Sequence, residues 1–161
     1  MSLKTAFRSA LDGLPSLAAS EFISVSEGVL QLDCELVALD KLGCAFQELR
    51  FIDPALQAAS VETLGRVAQG LSERLNYLLE PIRPVEIDSE RCIVQLRSNP
   101  PQQEAGQTCY YELLVTRQGY VSLIRWCKSA GNPRVQVAAQ VTREVLIRLA
   151  GDLSQSTATS N

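Results

Sequence analysis

Polar and apolar residues follow a helical period in three parts of this chain and a period of two in most of the rest. Ser2 to Leu14 carries Leu3, Phe7, Ala10, Leu11 and Leu14 on one helical face, and Gly13 and Pro15 end the run. Val61 to Leu79 is the longest helical stripe, through Val61, Leu64, Val67, Ala68, Leu71, Leu75 and Leu78. Ser60 is placed to cap it, Glu62 suits the positive end of its dipole, and Pro81 stops it. Gly65 and Gly70 each cost this helix about 1 kcal/mol against alanine, a cost that close packing on a sheet is expected to offset. Thr142 caps a third helix holding Val145, Leu146, Leu149 and Leu153. Ser154 to Asn161 is small and polar and is expected to fray.

Between the helices the pattern is that of strands. Glu21 to Ser26 is a short candidate before the turn Glu27-Gly28. Leu30, Leu32, Cys34 and Leu36 alternate with Gln31, Asp33 and Glu35, which predicts a strand with one wet, acidic face. Lys41-Leu42-Gly43 turns the chain into a strand from Cys44 to Ile52, stopped by Asp53-Pro54. Val85 and Ile87 form a short strand, and Cys92, Val94 and Leu96 alternate with polar residues in the next. Asn99 to Gln107, with Pro100-Pro101, reads as a polar loop. Val135 and Val137 add a short last strand after the turn Ser129 to Pro133.

The clearest unit is the run from Cys109 to Cys127, a β-hairpin turning at Gln118-Gly119. A two-residue loop pairs Leu113 with Ile124 and Tyr111 with Trp126 on one face. On the other it pairs Leu114 with Leu123, Glu112 with Arg125, and Tyr110 with Cys127. That register sets acid against base and aromatic against aromatic. It turns Tyr111, Leu113, Ile124 and Trp126 toward the helices. The opposite face then shows Tyr110, Leu114, Val121 and Leu123, too apolar for a solvated sheet face, and these four form the candidate partner surface.

The order α-β-β-β-α-β-β-β-β-α, with tight turns between neighbouring strands, predicts an α+β fold. A mostly antiparallel sheet is packed by helices in a two-layer domain. One domain spans residues 1–153, with 154–161 as a tail. This element order resembles that of type III secretion chaperones, a likeness of fold alone that assigns no residue a role.

At 161 residues, the chain can bury roughly 70% of its unfolded surface. Net charge is −3, and its spread is uneven: residues 1–80 carry −5 and residues 81–161 carry +2. Nothing in the total attracts nucleic acid or an anionic membrane. No apolar stretch reaches the roughly 18 residues a spanning helix needs, and Asp12, Pro15 and Ser16 break the N-terminal apolar run expected of a secretory signal. The cysteines, Cys34, Cys44, Cys92, Cys109 and Cys127, are odd in number, and four lie in predicted strands. Five reduced thiols and a cytoplasmic location are the expectation.

Histidine is absent, which removes Ser-His-Asp and Cys-His catalysis and His-ligated zinc. The cysteine gaps of 10, 48, 17 and 18 residues contain no C-x-x-C pair. Phosphate-loop, dinucleotide and nucleophile-elbow motifs are missing. Asp33 with Glu35, and Glu86 with Asp88, read as wet strand faces rather than acid/base pairs. Arg91, Arg97, Arg125, Lys128 and Arg134 gather near Tyr110, Tyr120 and Trp126 without a nucleic-acid signature, and neighbouring carboxylates dilute them. No metal, cofactor, nucleic acid or membrane partner is expected. The leading reading is a non-enzymatic adaptor or chaperone-like protein-binding module, forming a homodimer or taking another protein partner. A small-molecule-binding regulatory domain is the alternative, and an enzyme using carboxylates alone is the third.

Overall fold

Side-chain oxygens start all three helices. Ser2, Ser60 and Thr142 accept hydrogen bonds from the amides of Thr5, Thr63 and Val145 at 3.2, 3.2 and 3.1 Å. The computed structural model describes residues 1–17 and 19–158. In chain order these form α1 (Leu3–Asp12), β1 (Glu21–Glu27), β2 (Leu30–Leu39), β3 (Gly43–Ile52) and a 3-10 turn (Pro54–Ala58). Then come α2 (Val61–Arg74), β4 (Ile82–Asp88), β5 (Ile93–Ser98), β6 (Gln102–Glu104) and β7 (Gln107–Thr116). The chain continues through β8 (Tyr120–Ser129), β9 (Val135–Val137), β10 (Ala139–Thr142) and α3 (Arg143–Ser154).

The fold is α+β, with one antiparallel sheet in the order β1-β2-β3-β8-β7-β5-β4. Two strands change partners along their length. β3 pairs with β8 through Leu49–Ile52 and with β10 through Gly43–Phe46. β8 pairs with β9 through Arg125–Cys127. The loop expected from Asn99 to Gln107 contains β6, which turns at Ala105-Gly106 and pairs back on β7. The Pro-Pro pair precedes that strand and so does not interrupt its ladder.

All three helices lie on one face of the sheet. α1 packs on α3 and β1, α3 on β3 and β10, and α2 on β4, β5 and β7. Beneath them is one core of Phe7, Phe46, Phe51, Leu64, Leu71, Leu113, Val115, Val121, Leu123 and Leu149, with many smaller residues. α2 ends at Arg74, five residues before the predicted Leu79. At Leu75 the backbone leaves helical values, at ψ 57°. Leu64, Leu71 and Leu75 are fully buried as the stripe requires, Leu78 is half-buried, and Leu79 is 93% exposed. Gly65 and Gly70 meet open space where a Cβ would stand, so no close approach to the sheet offsets their cost. Past α3 the chain continues in turns to Ala158 with Ser156 buried, so the tail expected from Ser154 is still packed there. Residues 159–161 of that tail lie outside the described residues.

The hairpin departs from its predicted register by one residue. Thr116 pairs with Tyr120, closing a three-residue loop of Arg117, Gln118 and Gly119. Gly119 sits at φ 106°, and its amide donates to the Thr116 carbonyl at 3.1 Å. A three-residue loop with glycine at its left-handed position is a common hairpin closure. The segment after β3 holds this turn from outside. The Asp53 amide donates to the Gly119 carbonyl at 2.9 Å, and Arg117 Nε donates to the Ala59 carbonyl at 2.9 Å. The side-chain period in a strand is two, so a slip of one exchanges the faces. Leu113, Val115, Val121 and Leu123 all point into the core, each fully buried.

Burial also sets the thiols. It pushes the Cys44 thiol from 9.0 up to about 11, with Arg143 opposing and Asp40 adding, and it raises Cys34 further. The unfolded chain therefore releases these protons at lower pH than the folded chain does. The thiol contribution to stability is whole below about pH 9 and declines as pH rises toward 11. Denaturant midpoints measured from pH 8 to 11 are expected to fall, and Cys44→Ala should flatten part of the fall. Leu71→Ala should cost about 2–5 kcal/mol in the same measurement. A cost below about 0.5 kcal/mol would contradict the helix-on-sheet layer.

Candidate functional site: the open face of the sheet

Among the described residues, no helix covers the second face of the sheet. At its centre, Tyr110, Glu112, Leu114 and Thr116 of β7 stand opposite Trp126, Ile124, Ser122 and Tyr120 of β8. Gln95 and Arg97 of β5 flank them on one side, and Arg50 and Ile52 of β3 on the other. Glu112 is a carboxylate only 5% exposed. Burial of a charge at that level requires partners. Arg134 Nη1 donates to its Oε2 at 2.7 Å, and Gln95 Nε2 donates to the same oxygen at 2.7 Å. Arg134 also donates to the Tyr110 hydroxyl at 3.2 Å and lies over the Trp126 ring, 3.9 Å from its centroid. Arg97 lies over the Tyr110 ring at 4.6 Å, and Arg50 over Tyr120 at 4.3 Å. The result is a ladder of alternating guanidinium and aromatic groups, each guanidinium seated over a ring.

An apolar band adjoins the ladder. Ile52, Leu114, Tyr120 and Ile124 are half-buried on this face, and Phe22 on β1 is 62% exposed. Among the described residues, three buried side-chain nitrogens have no hydrogen-bond partner: Arg74 Nε, Arg97 Nε and Trp126 Nε1. Two of the three belong to the ladder.

The four residues of the candidate partner surface fall on two faces. Tyr110 and Leu114 are on the open face, whereas Val121 and Leu123 are in the core under the helices. Ile124 and Trp126, expected in the core, are on the open face instead. The one-residue change of loop length accounts for every one of these moves. The expected Glu112–Arg125 pair is likewise absent. Arg125 lies on the helix side, where its Nη1 donates to Glu80 at 3.1 Å, its Nη2 donates to Gln102 at 2.8 Å, and it lies over the Tyr111 ring at 4.6 Å. Burial pushes the Tyr111 hydroxyl up, and the nearby Arg125 charge opposes it. Both members of the Arg125–Glu80 pair are about nine-tenths buried, which makes it a structural clamp on the α2–β4 linker.

Asp33 and Glu35 share the open face as predicted. With Glu48, Arg50 and Phe22 they line a depression of about 180 Å³. Their bonds are local. Ser24 donates to Asp33 at 2.6 Å, Gln31 donates to it at 2.8 Å, and Arg50 pairs with Glu48 at 2.6 Å. Among the described residues, no group of three or more histidine, cysteine or carboxylate side chains could hold a metal ion. No helix there is long and apolar enough to cross a membrane.

The slip of register also joins two cysteines. Cys109 and Cys127 are directly opposed, with Cα atoms 4.2 Å apart, and form a disulfide. That spacing is typical of a narrow antiparallel pair. The expectation of five free thiols is therefore corrected to three, Cys34, Cys44 and Cys92, all buried. The inference of a reducing compartment loses its premise at the same point. No known protein family, curated protein or solved structure matches this chain.

Thiol titration of the chain denatured without reductant should give three thiols, and five after reduction. Arg134→Ala should leave Glu112 with only Gln95 and expose one face of Trp126. A stability loss of about 1–3 kcal/mol, discounted for the partial exposure of Arg134, is expected together with a shift in Trp126 fluorescence. Unchanged emission would show that the guanidinium does not sit on the indole.

Proposed function

We propose that the chain is a non-enzymatic adaptor or chaperone-like protein-binding module whose contact surface is the open sheet face, with a second copy of itself as partner. One observation carries the reading: a β-sheet face without covering helices that presents a preassembled arginine–aromatic ladder beside an apolar band. Tryptophan, tyrosine and arginine dominate the energetic centres of protein interfaces. Here Arg134 is already held by Glu112 over the Trp126 ring, so less side-chain freedom remains to be lost on contact. The unpaired Arg97 Nε and Trp126 Nε1 point the same way. Leaving a buried donor unpaired costs about 1–3 kcal/mol, and departures from a stability optimum gather at functional sites. A two-fold interface between identical faces would cover Ile52, Leu114, Tyr120 and Ile124 on both copies.

Sedimentation velocity of the wild type and of Leu114→Glu/Ile124→Glu tests the proposal. A wild-type dimer at micromolar concentration is expected, with a monomeric variant that melts as the wild type does. Both substitutions are on the open face, so they should leave the core intact. A monomeric wild type would remove the second copy as partner. The proposal keeps a cytoplasmic location, and its test is the state of Cys109 and Cys127 in cells. Thiol blocking before lysis should trap both as thiols in a reducing compartment, whereas a recovered disulfide would place the chain in an oxidising one.

A further inference from the structure

On the helix side, away from the open face, a cleft of about 430 Å³ opens where α1 packs on α3. Lys4 and Arg8 of α1 stand on one wall, Arg148 and Asp152 of α3 on the other, and Tyr77 from the linker after α2 closes one end. The volume falls in the range of small-molecule sites. The tyrosine is fixed. Its hydroxyl donates to Asp152 Oδ2 at 2.7 Å, and Arg148 lies over its ring at 3.8 Å. Burial pushes the Tyr77 hydroxyl well up, and its bond to Asp152 adds to that. The phenol therefore stays protonated and keeps donating to Asp152.

The carboxylates of the cleft are engaged and two of its cations are not. Glu144 pairs with Arg8 at 3.3 Å, and Asp152 accepts from Tyr77. Among the described residues, Lys4 and Arg148 have no carboxylate partner. Arg148 is stacked flat with its donors unspent, the arrangement in which arginine grips a phosphate with two hydrogen bonds. Lys4 is positioned by packing. A Cβ on Gly151 would come within 2.8 Å of Lys4 Cδ, so the missing side chain at that position is the space in which the lysine stem lies. Arg74 adds a third positive charge behind Tyr77, with its Nη2 on the Asp152 carbonyl at 3.1 Å and its Nε buried and unpartnered. This accumulation stands out in a chain of net charge −3.

We infer that this cleft binds a small soluble molecule bearing a terminal phosphate, held by Lys4 and Arg148. Lys4, Arg8, Arg74 and Arg148 exceed Glu144 and Asp152 by two charges, which matches a phosphate monoester carrying about −1.5 to −2 near pH 7. The same cations could instead serve only to complement the carbonyl end of α3, and the test separates the two roles.

The full chain is titrated with glycerol 3-phosphate, followed by calorimetry and amide NMR. Saturable binding is expected, with a Kd of about 1 mM or tighter and shifts centred on Lys4, Tyr77, Arg148 and Gly151. Lys4→Met keeps the stem and removes the charge, and Arg148→Gln removes the fork. Each should weaken binding by about tenfold or more, while Arg91→Gln on the exposed β4–β5 turn should not change it. Four results would overturn the inference. One is the absence of saturation up to ~20 mM ligand, far above the expected Kd. The second is equal binding by the Lys4→Met/Arg148→Gln chain. The third is variants that lower the melting temperature with no change in binding, which is the helix-end role. The last is retention on vesicles containing phosphatidic acid without binding of the soluble ester, which would assign the cleft to a lipid surface.

Discussion

The turn at Arg117-Gln118-Gly119 decides which half of the central hairpin is core and which is surface. Its three-residue length is set by the left-handed backbone at Gly119 and by the bonds that Asp53 and Ala59 make to it. Those bonds come from the connection between β3 and α2, 58 and 66 residues earlier in the chain. A local turn is thus fixed by a tertiary contact. Shortening the loop by one residue would move Val121 and Leu123 out of the core and bring Ile124 and Trp126 in. It would also part Cys109 from Cys127 and leave Glu112 without Arg134. Four features of the molecule depend on a single register.

Because all three helices crowd one side, the sheet has one apolar face buried by its own chain and one that is not. The two faces solve different problems. The helix side is filled by leucine, phenylalanine and valine and holds one charged pair, Arg125–Glu80, at its margin. The open side is built from charge and π-systems, with Glu112 as the hub on which Arg134 and Gln95 converge. A buried carboxylate in an apolar core would be costly, but at the sheet surface its partners reach it from the β9 hairpin and from β5.

Much of this architecture is legible in the residues themselves. The helical stripes at Leu3–Leu11, Leu64–Leu75 and Leu146–Leu153 and the capping Ser60 and Thr142 place the helices correctly, because both signals are local. Alternation in β2 and β5 places their inward residues correctly for the same reason. The hairpin register is not legible. Both candidate registers offer plausible pairs, and Tyr111 with Trp126 and Glu112 with Arg125 look better matched in the wrong one. What selects the other is the Asp53 amide, which no local pattern contains. Arg134 is legible among the arginines near Tyr110 and Trp126, but its bond to Glu112 is not, for a similar reason. It precedes β9 in a turn, and only the folding back of that hairpin lays it on Trp126 and Glu112. The one available signal was the opposition of two cysteines eighteen residues apart around a glycine, which a three-residue loop would have aligned.

The ladder on the open face can be weighed as a device for stability alone. Arg97 and Arg134 shield Tyr110 and Trp126 from water, and charges on a sheet surface discourage non-specific association. That role would be met by any solvated lysine or glutamate. It does not require Glu112 to be buried, nor Arg97 Nε and Trp126 Nε1 to be left unpaired. Those details fix side chains that would otherwise be mobile. Fixing them gives a lone chain little, because exposed ion pairs and cation–π contacts return on the order of 1 kcal/mol or less. It gives more to a chain that must meet a partner, since the freedom normally lost on association has been removed at folding. The half-buried Leu114 and Ile124 beside the ladder are what such a contact would cover, and the register that brings them to the surface is the same one that builds the core.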